Sequence, residues 1–208
     1  MSMAQRERRA LVVTMTAAGP DAPTLCGHWT VRDLAAHLVV RERRPDAAPG
    51  IMIESFAGYT ESVQAKAAQR PFTELLEQIR TGPPWWSPLR PIDAVANLTE
   101  MFVHHEDVRR AEFGWEPREL DAADQAQLWT TLRRMSRMSY RKAPVTLVLA
   151  TPQGERVTAH RVDGSSEVVL TGQPSELVLH AFGRHAVRLE ATGSPEDVKA
   201  IDESDRSV

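Results

Sequence analysis

NLTEMFVHHEDVRRAEF, the stretch from Asn97 to Phe113, places two imidazoles and several carboxylates in one predicted helix. At about 3.6 residues per turn, Glu100 and His104 lie one turn apart on one face, and Asp107 continues that face. His105 points about a quarter-turn away from it. A helix that presents Glu and His at positions i and i+4 offers two ligands that a single divalent ion can bridge. The spacing therefore indicates a metal site on this helix.

The apolar residues of the same helix indicate that this face is turned inward. A buried carboxylate or imidazole without a partner is costly, and a metal ion is one partner that satisfies both. The same spacing also occurs by chance on many solvated helices, so the helix alone leaves both interpretations open. The apolar positions that fill much of the remaining circumference are Leu98, Met101, Phe102 and Val108.

A second helix supplies a further candidate ligand. Thr30 followed by Asp33 resembles a capping box with Asp in place of the usual Glu, so a helix VRDLAAHLVVRE is predicted to begin here. His37 lies beside the apolar face of this helix, where a satisfied core histidine competes with a metal ligand. Asp33, one turn before His37, either caps the helix or orients the imidazole. The ligand interpretation of His37 is strengthened by the Glu100 and His104 pair on another helix.

Two facing helices that carry His37, Glu100 and His104 supply three protein ligands and leave at least one coordination position open. That pattern is typical of catalytic metal sites rather than closed structural ones. Zinc is the ion that this donor set favours, with other first-row divalent metals still open. Asp107 is then expected to orient a ligand or to act as an occasional fourth one.

Composition limits the class of protein. With 208 residues and 42% hydrophobic content, the chain can bury one substantial core, or a main core and a smaller satellite. The net charge of −3 and the spread of basic residues argue against nucleic acid as a partner. No run approaches the ~18 apolar residues of a membrane span, and the N-terminus is too charged for a signal peptide. We expect a soluble, cytoplasmic protein.

The single cysteine, Cys26, excludes an internal disulfide and fits a reducing compartment. A cysteine nucleophile has little support, because Cys26 lies in a predicted loop with only His28 close in sequence. We interpret it as a structural thiol. The sequence contains no GxGxxG, Walker A or GxSxG pattern, so nucleotide binding and serine hydrolysis lack support.

Hydrophobic periodicity predicts a helical region followed by a smaller mixed one. The proline-rich run PPWWSPLRPID holds Trp85 and Trp86, which either form an aromatic pocket wall or plug one end of a bundle. Pro71 is expected to lie in the first turn of the helix that contains FTELLEQIRTG. Helices are predicted at 4–18, 31–42, 51–68, 72–82, from about Ile92 through the Glu100 segment, and at 122–139.

After Tyr140 the period changes to that of strands. PVTLVLATPQGERVTAHRV predicts two strands joined by a turn, SSEVVLTG a third and AVRLEATG a last short one, with the helix PSELVLHAFG between the latter two. We therefore expect a helical bundle over residues 1–140 and a small α+β domain over 141–208. The tail is acidic and mostly polar, and its last residues, from about Glu203, are expected to be disordered.

Three segments together resemble a known family: GPDAPTLCGHWTVRDLAAHLVVRE, EMFVHHEDVRRA and GQPSELVLHAFGRHA. They resemble the mycothiol-dependent maleylpyruvate isomerase family of the DinB-like superfamily, and within it a branch known mainly as metal-binding proteins. The resemblance implies a mainly α fold, with a DinB-like four-helix bundle that binds a metal through the first histidine and a Glu-x-x-x-His pair. Those positions are His37, Glu100 and His104 here, the same three that spacing selects.

The resemblance also implies a small C-terminal α+β domain similar in architecture to sterol carrier proteins. Its Gly-Arg motif matches Gly183 and Arg184, and an arginine of this domain assists the active site in the isomerase. Arg184 is thus the candidate for binding an anionic substrate, while an exposed structural arginine is an equal alternative. The implied cosubstrate is mycothiol, whose thiol a divalent metal would ionise for isomerisation or transfer. The alternative is a noncatalytic protein that binds a metal or a small ligand.

Overall fold

The computed structural model describes residues 1–47, 57–87 and 97–206. Contacts divide the chain into two compact units, Met1–Trp115 and Glu116–Val208. The helix at 122–139, which the sequence analysis assigned to the bundle, thus falls in the unit that contains the sheet. The expected boundary between residues 140 and 141 stays a prediction about which segments fold independently.

The first unit contains five helices among the described residues. α1 packs against α4 and α5, and α2 packs against α3 and α4. The predicted starts of α3 at Ile51 and of α5 at Ile92 fall outside the described residues. The five helices are α1 (Met3–Ala18), α2 (Val31–Arg43), α3 (Ala57–Ala68), α4 (Phe72–Thr81) and α5 (Leu98–Arg109).

The beginning of α2 follows from a local hydrogen-bond exchange. The Thr30 hydroxyl accepts from the Asp33 backbone N–H at 3.3 Å, and the Asp33 carboxylate accepts from the Thr30 N–H at 2.9 Å. The predicted capping box is therefore confirmed. Pro71 was expected in the first turn of α4 but is the residue before it, at the N-cap position. The predicted apolar face of α2 is buried throughout, at Val31, Leu34, Ala35, Leu38 and Val39.

A buried ion pair joins three helices of this unit. Arg8 on α1 donates to both carboxylate oxygens of Glu42 on α2, at 3.0 and 2.5 Å. The same guanidinium donates to the backbone carbonyl of Ile79 on α4 at 2.9 Å. Ser87 donates to the Glu42 backbone carbonyl at 2.8 Å. Since Arg8 and Glu42 are almost fully buried, each charge depends on the other for compensation.

The second unit is a small sheet with helices. The four strands lie in the order β2-β1-β3-β4, with β1 parallel to β3 and the other two pairings antiparallel. All four predicted strands and the helix between the last two are confirmed. α6 packs against α7 and β2. The elements are α6 (Ala122–Ser139), β1 (Thr146–Ala150), β2 (Arg156–His160), β3 (Glu167–Thr171), α7 (Pro174–Ala181), β4 (Glu190–Thr192) and α8 (Pro195–Glu203).

The tail contains a helix that the sequence analysis missed. The Ser194 hydroxyl accepts from the Asp197 backbone N–H at 3.1 Å and begins α8, and Ile201 is its one fully buried residue. Disorder from Glu203 onward was the wrong expectation for the residues described there. The Arg206 side chain is buried, and it donates to the Ile201 carbonyl at 2.5 Å.

Trp85 and Trp86 also differ from expectation. Their relative exposures of 85% and 49% make them surface residues rather than a plug of the bundle or a pocket wall. A mainly helical chain with a small sheet is confirmed, while the finer four-helix-bundle and sterol-carrier-like descriptions stay predictions. No helix in the described ranges is long and apolar enough to cross a membrane.

Replacing Arg8 by methionine is expected to destabilise the protein strongly, because Glu42 would be left as a buried charge without its main partner. The loss of unfolding free energy should be about 3–5 kcal/mol. Arg80→Met is the matched control, since Arg80 pairs with Glu77 on the exposed surface of α4, where a pair contributes under about 1 kcal/mol. Urea denaturation of both variants measures the difference, and equal midpoints would contradict the assignment.

Candidate metal centre

The three predicted ligands converge between α2 and α5. Nε2 of His37 and Nε2 of His104 each lie 3.3 Å from Oε1 of Glu100. The two imidazole rings meet edge to face, with 5.5 Å between their centroids. One ligand atom from each of the three side chains lies within 4.8 Å of the others. The arrangement can place two nitrogens and a carboxylate oxygen on one divalent ion.

Asp107 holds the His104 ring from the side opposite Glu100. Its Oδ2 lies 2.8 Å from Nδ1 of His104, and its side chain is fully buried. The backbone carbonyl of Asp107 also accepts from the Leu25 N–H at 3.0 Å, so the loop before α2 is fixed to α5. With Nδ1 directed at a carboxylate, Nε2 is the nitrogen left to face Glu100 and His37.

Cys26 lies beside this centre, which the sequence analysis did not anticipate. Its thiol donates to Oδ2 of Asp107 at 3.1 Å and lies 3.7 Å from Nδ1 of His104. These three residues form a second group with possible metal ligands within 4.8 Å of one another. A structural role for Cys26 stays a prediction, and its hydrogen bond to Asp107, which fixes the loop to α5, is consistent with that role. Its sequence position gave no signal of this proximity.

Arg41 is a further residue that the sequence analysis missed. Its Nε lies 3.4 Å from Oε1 of Glu100, and its guanidinium donates to the side-chain oxygen of Asn97. The Asn97 amide in turn donates to Oε1 of Glu42 at 3.3 Å, which connects the centre to the buried Arg8 pair. The sequence contains one signal for Arg41. It lies four residues after His37, and residues i and i+4 share a helix face.

The surroundings favour ionised Glu100 and protonated His104 when no metal competes. Burial opposes the charge on Glu100, but hydrogen bonds to His104 and His37, with the charge of Arg41 nearby, hold its pKa well below the usual value. Burial likewise opposes charge on His104, yet Asp107, Cys26 and Glu100 together raise the pKa of His104 well above the usual value. An imidazolium–carboxylate pair results.

The remaining predicted residues are placed as follows. His105 lies outside the centre, as its helical position predicts, with Nδ1 2.9 Å from Glu7 and Nε2 2.9 Å from Thr14. Asp33 caps α2 through Thr30, and its carboxylate forms no hydrogen bond to His37 within the described part of the chain. In the second unit, Arg184 follows the left-handed Gly183 and donates to the Phe182 carbonyl at 2.6 Å.

The fold and this donor set define a class, a mainly helical protein with a two-histidine, one-carboxylate candidate metal centre and a small α+β unit. Residues 2–82 match the family model described as the mycothiol maleylpyruvate isomerase N-terminal domain. The family resemblance of the sequence is thus confirmed over these residues. No curated protein sequence gives a significant match.

Two solved structures share the fold. A crystal structure of the mycothiol-dependent maleylpyruvate isomerase matches with a TM-score of 0.57 and 14% identity, over 91% of this chain and 90% of that chain. A variant of that isomerase with one histidine replaced by alanine matches with a TM-score of 0.56 and 14% identity, over the same shares of each chain. At this identity the likeness establishes the fold of the chain.

Uptake of a divalent ion is expected to release on the order of one proton per ion near neutral pH, because the ion and the proton compete for His104. Since the pKa of His104 is raised and that of Glu100 is lowered, apparent affinity should increase with pH up to the pKa of His104. Calorimetric zinc titrations in two buffers of different ionisation enthalpy measure the released protons. Identical heats in both buffers would contradict the imidazolium assignment.

Proposed function

We propose that the protein is a divalent-metal enzyme, with zinc as the favoured ion, that uses mycothiol for transfer to, or isomerisation of, an electrophilic substrate. His37, Glu100 and His104 are the proposed ligands. The observation that carries the proposal is that one possible ligand atom of each of these three side chains lies within 4.8 Å of the others. The N-terminal residues of the same chain match the isomerase domain family.

The donor chemistry fits a catalytic ion. Two imidazoles and one carboxylate are a common catalytic zinc set, and three protein ligands leave a position for a thiol. When bound, such an ion lowers the pKa of a coordinated thiol and supplies a thiolate near neutral pH. Cys26 does not replace that thiol in the proposal, since its hydrogen donates to Asp107.

The residues around the ligands fix their orientation. Asp107 accepts the Nδ1 hydrogen of His104, which leaves Nε2 with its lone pair for the ion. Arg41 contacts the Glu100 carboxylate at 3.4 Å and limits its rotation. Because Asn97 joins Arg41 to the buried Glu42, this support extends into the core of the first unit.

Single alanine variants of His37, Glu100 and His104 are each expected to lose most bound zinc, because each removes one of three protein ligands. His105→Ala is the matched control on the same helix, since His105 contacts Glu7 and Thr14 instead. Elemental analysis of purified proteins should give about one ion per chain in the wild type and the control. Zinc retained by His37→Ala but lost by His105→Ala would show that the wrong imidazole was chosen.

Thiol consumption tests the enzymatic part of the proposal separately from metal binding. The zinc-loaded protein is incubated with mycothiol and an electrophile such as monochlorobimane, and the loss of thiol is followed. We expect consumption by the wild type and the His105→Ala protein, and none by the three ligand variants. No consumption across several electrophiles and divalent metals would support the alternative, a noncatalytic metal or small-ligand binding protein.

Arg184 is proposed to bind the carboxylate of an anionic substrate, as the family resemblance implies. A guanidinium can bind a carboxylate through two parallel hydrogen bonds, and the single ammonium group of lysine cannot reproduce this geometry. Arg184→Lys should keep the zinc content and lower turnover of an anionic electrophile on the order of tenfold, equal to ~1.4 kcal/mol. Arg161→Lys, at an exposed position after β2, is the control. Equal turnover of the two variants would contradict this role.

A further inference from the structure

A cavity of about 350 Å³, with both polar and apolar surface in its lining, lies in the first unit. The loop before α2, the first turn of α2 and the middle of α3 form its walls. Its volume lies in the lower part of the range of small-molecule sites, ~300–1,000 Å³. The lining residues are His28, Trp29, Asp33, Glu61, Gln64 and Ala65.

One ring contact and one helical spacing connect this cavity to the metal centre. Trp29, which lines the cavity, also packs against the His37 ring, with 5.1 Å between ring centroids. Asp33, which lines the cavity as well, lies one turn before His37 on α2, and residues i and i+4 are neighbours on a helix surface. Trp29 therefore borders both the cavity and the side chain of the proposed ligand His37.

The charge of the lining determines which ligands it accepts. Two carboxylates, on Asp33 and Glu61, lie among the lining residues together with one amide and one imidazole, and no lysine or arginine is among them. These carboxylates would repel an anionic group, since like charges oppose each other at short range. A neutral molecule with many hydroxyl groups would instead donate hydrogen bonds to these oxygens.

The side chains supply the required donors and acceptors without breaking existing contacts. Within the described ranges, Glu61 and Gln64 make no hydrogen bonds or ion pairs to other side chains. Asp33 uses Oδ2 to cap Thr30 and keeps Oδ1 as an acceptor. Trp29 adds an apolar ring face against which the carbon–hydrogen face of a cyclic polyol can pack.

We infer that this cavity binds the uncharged, hydroxyl-rich part of the thiol cosubstrate, and so places its sulfur at the metal. The inference rests on the proposed function and names the subsite that selects the thiol. Mycothiol, a thiol linked to hydroxyl-rich rings, has the chemistry that the lining accepts. The anionic electrophile is excluded from this cavity by the two carboxylates.

The test uses S-methylated mycothiol, which keeps the hydroxyl-rich rings and has no free thiol to donate to a metal. Calorimetry measures its affinity for the full-length protein and for the double variant Glu61→Gln, Gln64→Ala. Both positions lie on the accessible side of α3, so folding and zinc content should be unchanged. Gln69→Ala with Glu77→Gln is the control pair, because both residues are exposed and outside the cavity.

The wild type and the control should bind the probe equally, and the cavity variant should bind about tenfold more weakly or worse. With free mycothiol, KM should increase in the cavity variant and kcat should stay constant. With N-acetylcysteine, which lacks the rings, both parameters should be unchanged. Equal probe affinity in wild type and cavity variant would overturn the inference, as would absent probe binding while mycothiol is consumed. Absent thiol consumption with probe binding retained would instead overturn only the proposed enzymatic function.

Discussion

The Glu100 carboxylate is the group around which the first unit is arranged. It lies 3.3 Å from nitrogens of His37 and His104 and 3.4 Å from the Arg41 guanidinium. These polar contacts join α2 to α5 beside the apolar core to which both helices contribute. A carboxylate so largely removed from water requires compensation on every side, since burial alone would raise its pKa. The cationic and hydrogen-bonding neighbours reverse that effect, which keeps the carboxylate ionised and available to a cation.

Support for this centre comes from polar contacts that reach two further elements, α1 and the loop before α2. Asn97, at the N-terminal end of α5, links Arg41 to Glu42, and Glu42 links to Arg8 on α1. On the other side, Asp107 connects His104 to the loop before α2. Networks of this kind rigidify a site only when each member is satisfied. A change at Arg8 is therefore expected to reach the metal centre through Glu42 and Asn97, although Arg8 touches no ligand.

The sequence predicted what helical geometry determines locally. Glu100 and His104 share a face because the helical repeat places i and i+4 together, and Thr30 with Asp33 marks a helix start by local hydrogen bonds. Cys26 was interpreted from its sequence neighbours alone, and the missed contact is to Asp107, which is far along the chain. Such contacts depend on how the loop docks on α5. Local patterns carry no information about that docking.

Two other misses have different physical causes. α8 was overlooked because its composition is acidic and polar, although Ser194 supplies a cap and Ile201 an anchor into the core. The tryptophans at 85 and 86 were expected inside because large aromatic side chains usually bury their area, yet both are exposed. The type of a residue indicates its average tendency to be buried. It does not determine whether the fold provides a surface that covers a particular side chain.

The charges near the centre bear on which reactant of the proposed reaction the helical unit can accept. The cavity beside His37 is lined by two carboxylates and therefore suits an uncharged polyol. An anionic electrophile needs a cation instead, and the first unit already commits Arg41 to Glu100 and Asn97. The anion-binding group of the proposal, Arg184, comes from the second unit. Under the proposed function, the helical unit would select the thiol by its hydroxyl groups and activate it at the metal.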